Sequence, residues 1–203
     1  GEPDRSLSVS FPEAIDRDAP LRLVYSYFGL FGDPLVDPEV DPFPEGLLAR
    51  LAEMGVNGVW MHVLLRQLAP GGDAFPEFGS GHERRLATLR RLVAKAKRYG
   101  IGVYLYINEP RAMPLAFFDE HTEARGVQEG DVAALCTSDG RVRQWLGDSL
   151  THVFRDVPDL GGVFTITASE NLTSCASHYR REECPRCRVR SDAEILAEVN
   201  ATI

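Results

Sequence analysis

Residues 82–110 read HERRLATLRRLVAKAKRYGIGVYLYINEP. Leu86, Leu89, Leu92, Val93 and Ala96 recur at helical spacing and lay one apolar stripe along a charged segment from His82 to Tyr99. Gly100 stands where helices commonly end on a left-handed residue. Ile101 to Ile107 is then apolar or aromatic at almost every position, the composition of a strand buried on both faces. Helix, glycine and buried strand in succession predict one unit of a parallel α/β sheet, with Asn108-Glu109-Pro110 at the strand's C-terminal end.

The same unit recurs on either side. Leu21 to Phe28 (LRLVYSYF) reads as a first strand, followed by a Pro- and Asp-rich loop and the helical spacing of Leu47, Leu48, Leu51 and Met54, closed by Gly55. Val59 to Leu65 reads as the second strand. After the third strand a loop of almost 30 residues is expected, then a helix from Val142 to Phe154 and a fourth strand from Gly162 to Thr167. A last helix runs from Ser191 or Asp192, both good N-caps, to the end. Residues 1–20 have no sustained period and read as a lead-in to a domain spanning 21–203.

Strand and helix alternating four times fit either a doubly wound sheet or a (β/α)8 TIM-type barrel. The loops after strands are long and rich in Pro, Gly and aromatics, whereas the helix-to-strand returns are short, which is the barrel habit of carrying chemistry at the C-terminal ends of strands. FGLFGDP after the first strand matches neither phosphate-binding glycine pattern of doubly wound nucleotide binders. The expectation is a barrel fold represented by about four βα units, roughly half of the ~250 residues such a domain usually takes. The four strands should lie in sequential order. A half barrel exposes edges and an apolar face, so self-association or completion by a C-terminal half is expected.

With 22 Lys plus Arg against 30 Asp plus Glu among 203 residues, the net charge is −8. That balance carries no footprint for nucleic acid. No window approaches the roughly 18 apolar residues of a spanning helix, and the N-terminus lacks the basic-then-apolar order of a signal peptide. Neither a membrane nor an organic cofactor is expected, and clustered unpaired cysteines favour the cytoplasm.

The strand ends place Tyr25, Tyr27 and Phe28, then His62 and Arg66, then Asn108, Glu109 and Arg111, then Ser169, Glu170 and Asn171 at one rim. Tyr25, Tyr27, His62, Asn108, Glu109 and Asn171 are the candidate substrate contacts, the aromatics as a sugar-stacking surface. Structural alternatives are inward core layers for the tyrosines, a core histidine, and a turn before proline. Glu170, just past a buried strand with Thr165, Thr167 and Ser169 at period 2, suits a general acid that protonates a leaving oxygen.

TITASEN (165–171), INEP (107–110) and LCTSDGRVRQWL (135–146) resemble segments of glycoside hydrolase barrels, most nearly the β-N-acetylhexosaminidase-like (family 20-like) superfamily. The resemblance covers about residues 20–203, the first half of such a domain. It implies a carbohydrate-active hydrolase in which an Asp-Glu pair ends the fourth strand, Glu as general acid and Asp orienting the substrate's acetamido group. Glu170 stands at the acid and Ser169 at the Asp. The rival reading is a zinc-stabilised module that binds carbohydrate or a protein without turnover.

Residues 172–190 form a Cys/His-rich loop. Cys175, His178, Cys184 and Cys187 can supply four protein ligands to a tetrahedral, purely structural zinc, with Cys136 competing with His178 for the fourth place. A Cys184–Cys187 redox pair and unliganded thiols are the alternatives.

Overall fold

A computed structural model describes residues 19–167 and 170–203. Most of the expected lead-in, residues 1–18, and the Ala168-Ser169 step lie outside the described residues. The strands are β1 (Leu23–Tyr25), β2 (Gly58–Val63), β3 (Gly102–Ile107), β4 (Met113–Pro114), β5 (Arg125–Glu129), β6 (Val132–Leu135) and β7 (Gly162–Thr165). The α-helices are α1 (Tyr27–Phe31), α2 (Glu45–Glu53), α3 (Leu65–Leu68), α4 (His82–Lys97), α5 (Gly140–Asp156) and α6 (Asp192–Thr202).

β1, β2, β3 and β7 form a four-stranded parallel sheet in that spatial order, so the four repeating units lie side by side in sequence order. Period-2 alternation divides its residues between two faces. On one face Val59, Met61, Val63, Val103, Leu105 and Ile107 are buried in a single core with Leu48 of α2, Leu86, Leu89 and Val93 of α4, and Leu146, Leu150 and Val153 of α5. On the other face Trp60, His62, Tyr104, Tyr106 and Phe164 are only partly buried. Tyr104 fits because glycine surrounds it: a Cβ at Gly161 would lie 2.8 Å from its ring and one at Gly58 3.0 Å.

Two expectations are corrected. The first strand is shorter than Leu21–Phe28, because the Ser26 hydroxyl caps α1 by accepting from the Gly29 amide at 3.2 Å and turns Tyr27 and Phe28 into helix. The long loop after β3 holds an antiparallel sheet of order β4-β6-β5, its hairpin turned at Gly130-Asp131. Against this small sheet sits a second core, containing Val127, Ala134, Leu172, Ile195 and all four cysteines.

Candidate functional site at the strand ends

The C-terminal ends of β1, β2, β3 and β7 carry a band of rings followed by polar groups. Parallel register sets Tyr25 beside Trp60, and Tyr106 between His62 and Phe164. Ring centroids lie 4.8 Å apart for Tyr25–Trp60, 5.3 Å for Trp60–Tyr106 and 5.1 Å for Tyr106–Phe164, so the band crosses all four strands. Tyr25 is 51% exposed, and Tyr27, Phe28 and Phe31 add an exposed aromatic surface on α1.

Beyond the rings stand His62, Arg66, Asn108, Glu109 and Arg111. Asn108 is buried and donates from Nδ2 to the Tyr106 hydroxyl at 3.3 Å. Glu109 is buried as well. Its Oε1 accepts from the Leu65 amide at 2.8 Å and its Oε2 from the Arg111 amide at 3.2 Å, so the carboxyl braces the loop after β2 against the loop after β3. Burial pushes this carboxyl above the usual range, although the two amides and the guanidinium groups of Arg66 and Arg111 act against the shift. Burial, and next the charge of Arg111, lower His62 and keep its imidazole neutral near pH 7.

The residues predicted for the rim therefore divide. Tyr25, Tyr27 and His62 face or adjoin open surface, whereas Asn108 and Glu109 are turned into the protein and shape the rim from beneath. Glu170 is exposed and the strand before it, β7, is only partly buried, whereas the buried carboxyl of the rim is Glu109. Glu170 and Asn171 line a cleft of about 270 Å³ with Arg111, Glu129 and His178. A larger hollow of about 390 Å³ lies between the loop at 34–42 and α4 and contains none of the rim groups.

The segment after β7 is held by its own polar core. The Ser177 hydroxyl accepts from the amides of Thr173 and Ser174 at 3.2 Å each, and the Ala112 amide donates to the Leu172 carbonyl at 3.1 Å, tying this segment to the loop after β3. His178, expected among the metal ligands, is occupied elsewhere: its Nδ1 lies 2.7 Å from Glu129 Oε2 and its Nε2 3.1 Å from the Glu170 carbonyl. The cluster instead takes Cys136, which the Ala124 carbonyl positions by accepting from its amide at 2.8 Å.

The Sγ atoms of Cys136, Cys175, Cys184 and Cys187 all lie within 4.8 Å of one another, buried and unbridged. The Arg186 Nε is 3.4 Å from Cys136 Sγ, and the Ser138 hydroxyl lies 3.3 Å from Cys187 Sγ. Hydrogen bonding from Cys175, helped by Cys187 and Arg186, holds the Cys136 thiol below its ordinary value, with Cys184 and burial acting against the shift.

Sequence spacing left Cys136, 39 positions before Cys175, as a competitor of His178 for the fourth place; its position just after β6 is what joins it to the other three. Of the aromatic band the sequence places only Tyr25 at a strand end, because Trp60, Tyr106 and Phe164 join it through register between strands.

No protein-family model matches the sequence, and no curated protein matches it significantly. Among solved structures, the chain is similar to a noncanonic maltogenic α-amylase of Thermotoga neapolitana, with 15% identity, TM-score 0.42, and 64% of this chain and 34% of the amylase covered. It is also similar to a chitobiase of Flavobacterium johnsoniae, with 14% identity, TM-score 0.44, and 79% of this chain and 27% of the chitobiase covered. The likeness to these glycoside hydrolases is coarse and concerns the fold, and the chain spans about a third or less of either. Among the described residues no helix is long and apolar enough to cross a membrane.

Proposed function

We propose that the chain forms a carbohydrate-binding sector of a (β/α)8-type barrel, with the ligand lying along the aromatic band and its hydroxyls meeting the polar rim. One observation carries the reading: Tyr25, Trp60, Tyr106 and Phe164 form an unbroken, partly open row, with the His62 ring 5.7 Å from that of Tyr106. Pyranose rings present apolar C–H faces that stack on aromatic rings and hydroxyls that need such polar neighbours. In a complete barrel this face would look inward, and further strands, in the same chain or a second copy, would pair with β1 and β7.

Hydrolysis is the finer form of the proposal. Glu170 is its general acid, in a cleft it shares with Arg111 of the rim. A non-catalytic binding module is the second reading, favoured by the fact that the fully buried carboxyl of Glu109 is committed to backbone amides.

A fluorescence titration with a panel of soluble oligosaccharides tests the binding step common to both. Trp60 is partly open and the other tryptophan, Trp145, is buried, so a bound sugar should change the emission of Trp60. Tyr25→Ala should weaken binding about tenfold, the equivalent of ~1.4 kcal/mol, since an exposed edge ring is lost without disturbing the core. If no oligosaccharide changes the emission, or if Tyr25→Ala binds as well as the parent, the sugar does not lie on the band.

A further inference from the structure

We infer that Cys136, Cys175, Cys184 and Cys187 bind one structural zinc ion as a tetrathiolate, independently of any carbohydrate, and that His178 is not a ligand. A zinc tetrahedron with Zn–S bonds of about 2.3 Å has sulfur–sulfur edges of roughly 3.8 Å. Cys136 Sγ lies 3.7 Å from Cys184 Sγ and 3.6 Å from Cys187 Sγ, and the whole set falls within 4.8 Å. A disulfide would draw a pair to about 2.05 Å. Clusters that contain their own sulfides hold the thiolates further apart, so the geometry fits a single ion.

The surroundings suit the charge. Four thiolates around Zn²⁺ leave a net charge of −2 in a buried site. Arg186, inside the Cys184-Pro-Arg-Cys187 knuckle, points Nε at Cys136 Sγ, and Arg190 donates to the Ser138 hydroxyl at 2.8 Å, which in turn contacts Cys187. Room is reserved as well, since a Cβ at Gly126 would lie 2.5 Å from Cys175 Sγ. The ligands come from the end of β6, the segment after β7, and the knuckle before α6. One ion therefore ties three separate stretches of chain, in a second core of which the four cysteines are the largest share.

The experiment is metal analysis of the full 203-residue chain purified without chelator, with the variants Cys136→Ser and His178→Ala. The parent and His178→Ala should each carry about one zinc per chain, and Cys136→Ser should lose most of it on dialysis. Because Cys136→Ser can fail to fold, the parent is also loaded with Co²⁺, where four-sulfur ligation gives intense thiolate-to-metal charge-transfer absorption and tetrahedral visible bands. Four thiols should become reactive to a thiol reagent only when the metal is displaced. Loss of zinc in His178→Ala with retention in Cys136→Ser would overturn the ligand set. Iron in place of zinc, disulfides by intact mass, or four freely reactive thiols in the purified chain would overturn the zinc.

Discussion

Glu109→Ala should cost about 2–4 kcal/mol in urea unfolding and loosen the rim, because it leaves the buried amides of Leu65 and Arg111 without their acceptor. The loss should depend on pH. Burial raises this carboxyl in the folded chain above its ordinary value near 4.3, so folding favours the protonated acid. Its stabilising contribution is complete below that ordinary value and fades as pH rises through the folded one. The cost of Glu109→Ala should accordingly be largest in acid and smaller at pH 8. Glu109→Gln, which cannot ionise, should show less loss of stability than the parent between pH 4.5 and 8, after the shared contribution of the other carboxylates cancels in the difference. If the parent instead gains stability relative to Glu109→Gln as pH rises, the carboxyl is held as a stabilised anion and Arg66 and Arg111 outweigh burial.

Gly126→Ala should be the most damaging small change in the antiparallel sheet. The added methyl would lie 2.5 Å from Cys175 Sγ and 2.9 Å from the Ala134 carbonyl, so either the sulfur cluster or the β5–β6 ladder must shift. Overpacking of this kind costs about 1–3 kcal/mol, and zinc occupancy should fall with it. Gly46→Ala is the matching control: in α2 nothing stands within 4 Å of the new methyl, and alanine's helix preference should raise stability by about 0.5–1 kcal/mol. The two substitutions should move the urea midpoint in opposite directions. A Gly126→Ala chain as stable as the parent, with full zinc, would show that the sulfurs are not packed against β5.

The four parallel units were legible because each carries two clear periods in succession. Leu86, Leu89, Leu92 and Val93 mark α4, and the run through Val103, Leu105 and Ile107 marks β3. The small sheet was not, since RGVQE and VAAL are too short and too mixed to show alternation. Gly130-Asp131 between them was the available signal, a two-residue hairpin turn flanked by Val127 and Val132.

Site residues divided for a similar reason. Three cysteines within 13 positions announce a cluster, but choosing Cys136 over His178 requires knowing that β6 ends beside the knuckle. INEP and TITASEN each place a glutamate just past a strand, and no local pattern distinguishes the buried Glu109 from the exposed Glu170. Solvation decided between them, and solvation is a property of the packed chain.

The central claim, that the open face of the parallel sheet takes a carbohydrate at its C-terminal rim, is tested most directly by amide chemical-shift mapping during titration with an oligosaccharide that alters Trp60 emission. The largest shifts should fall on Tyr25, Trp60, His62, Tyr106 and Phe164 and extend to Arg111, with α4 and α5 unchanged. Shifts confined to the hollow between residues 34–42 and α4, or spread evenly over the surface, would contradict it.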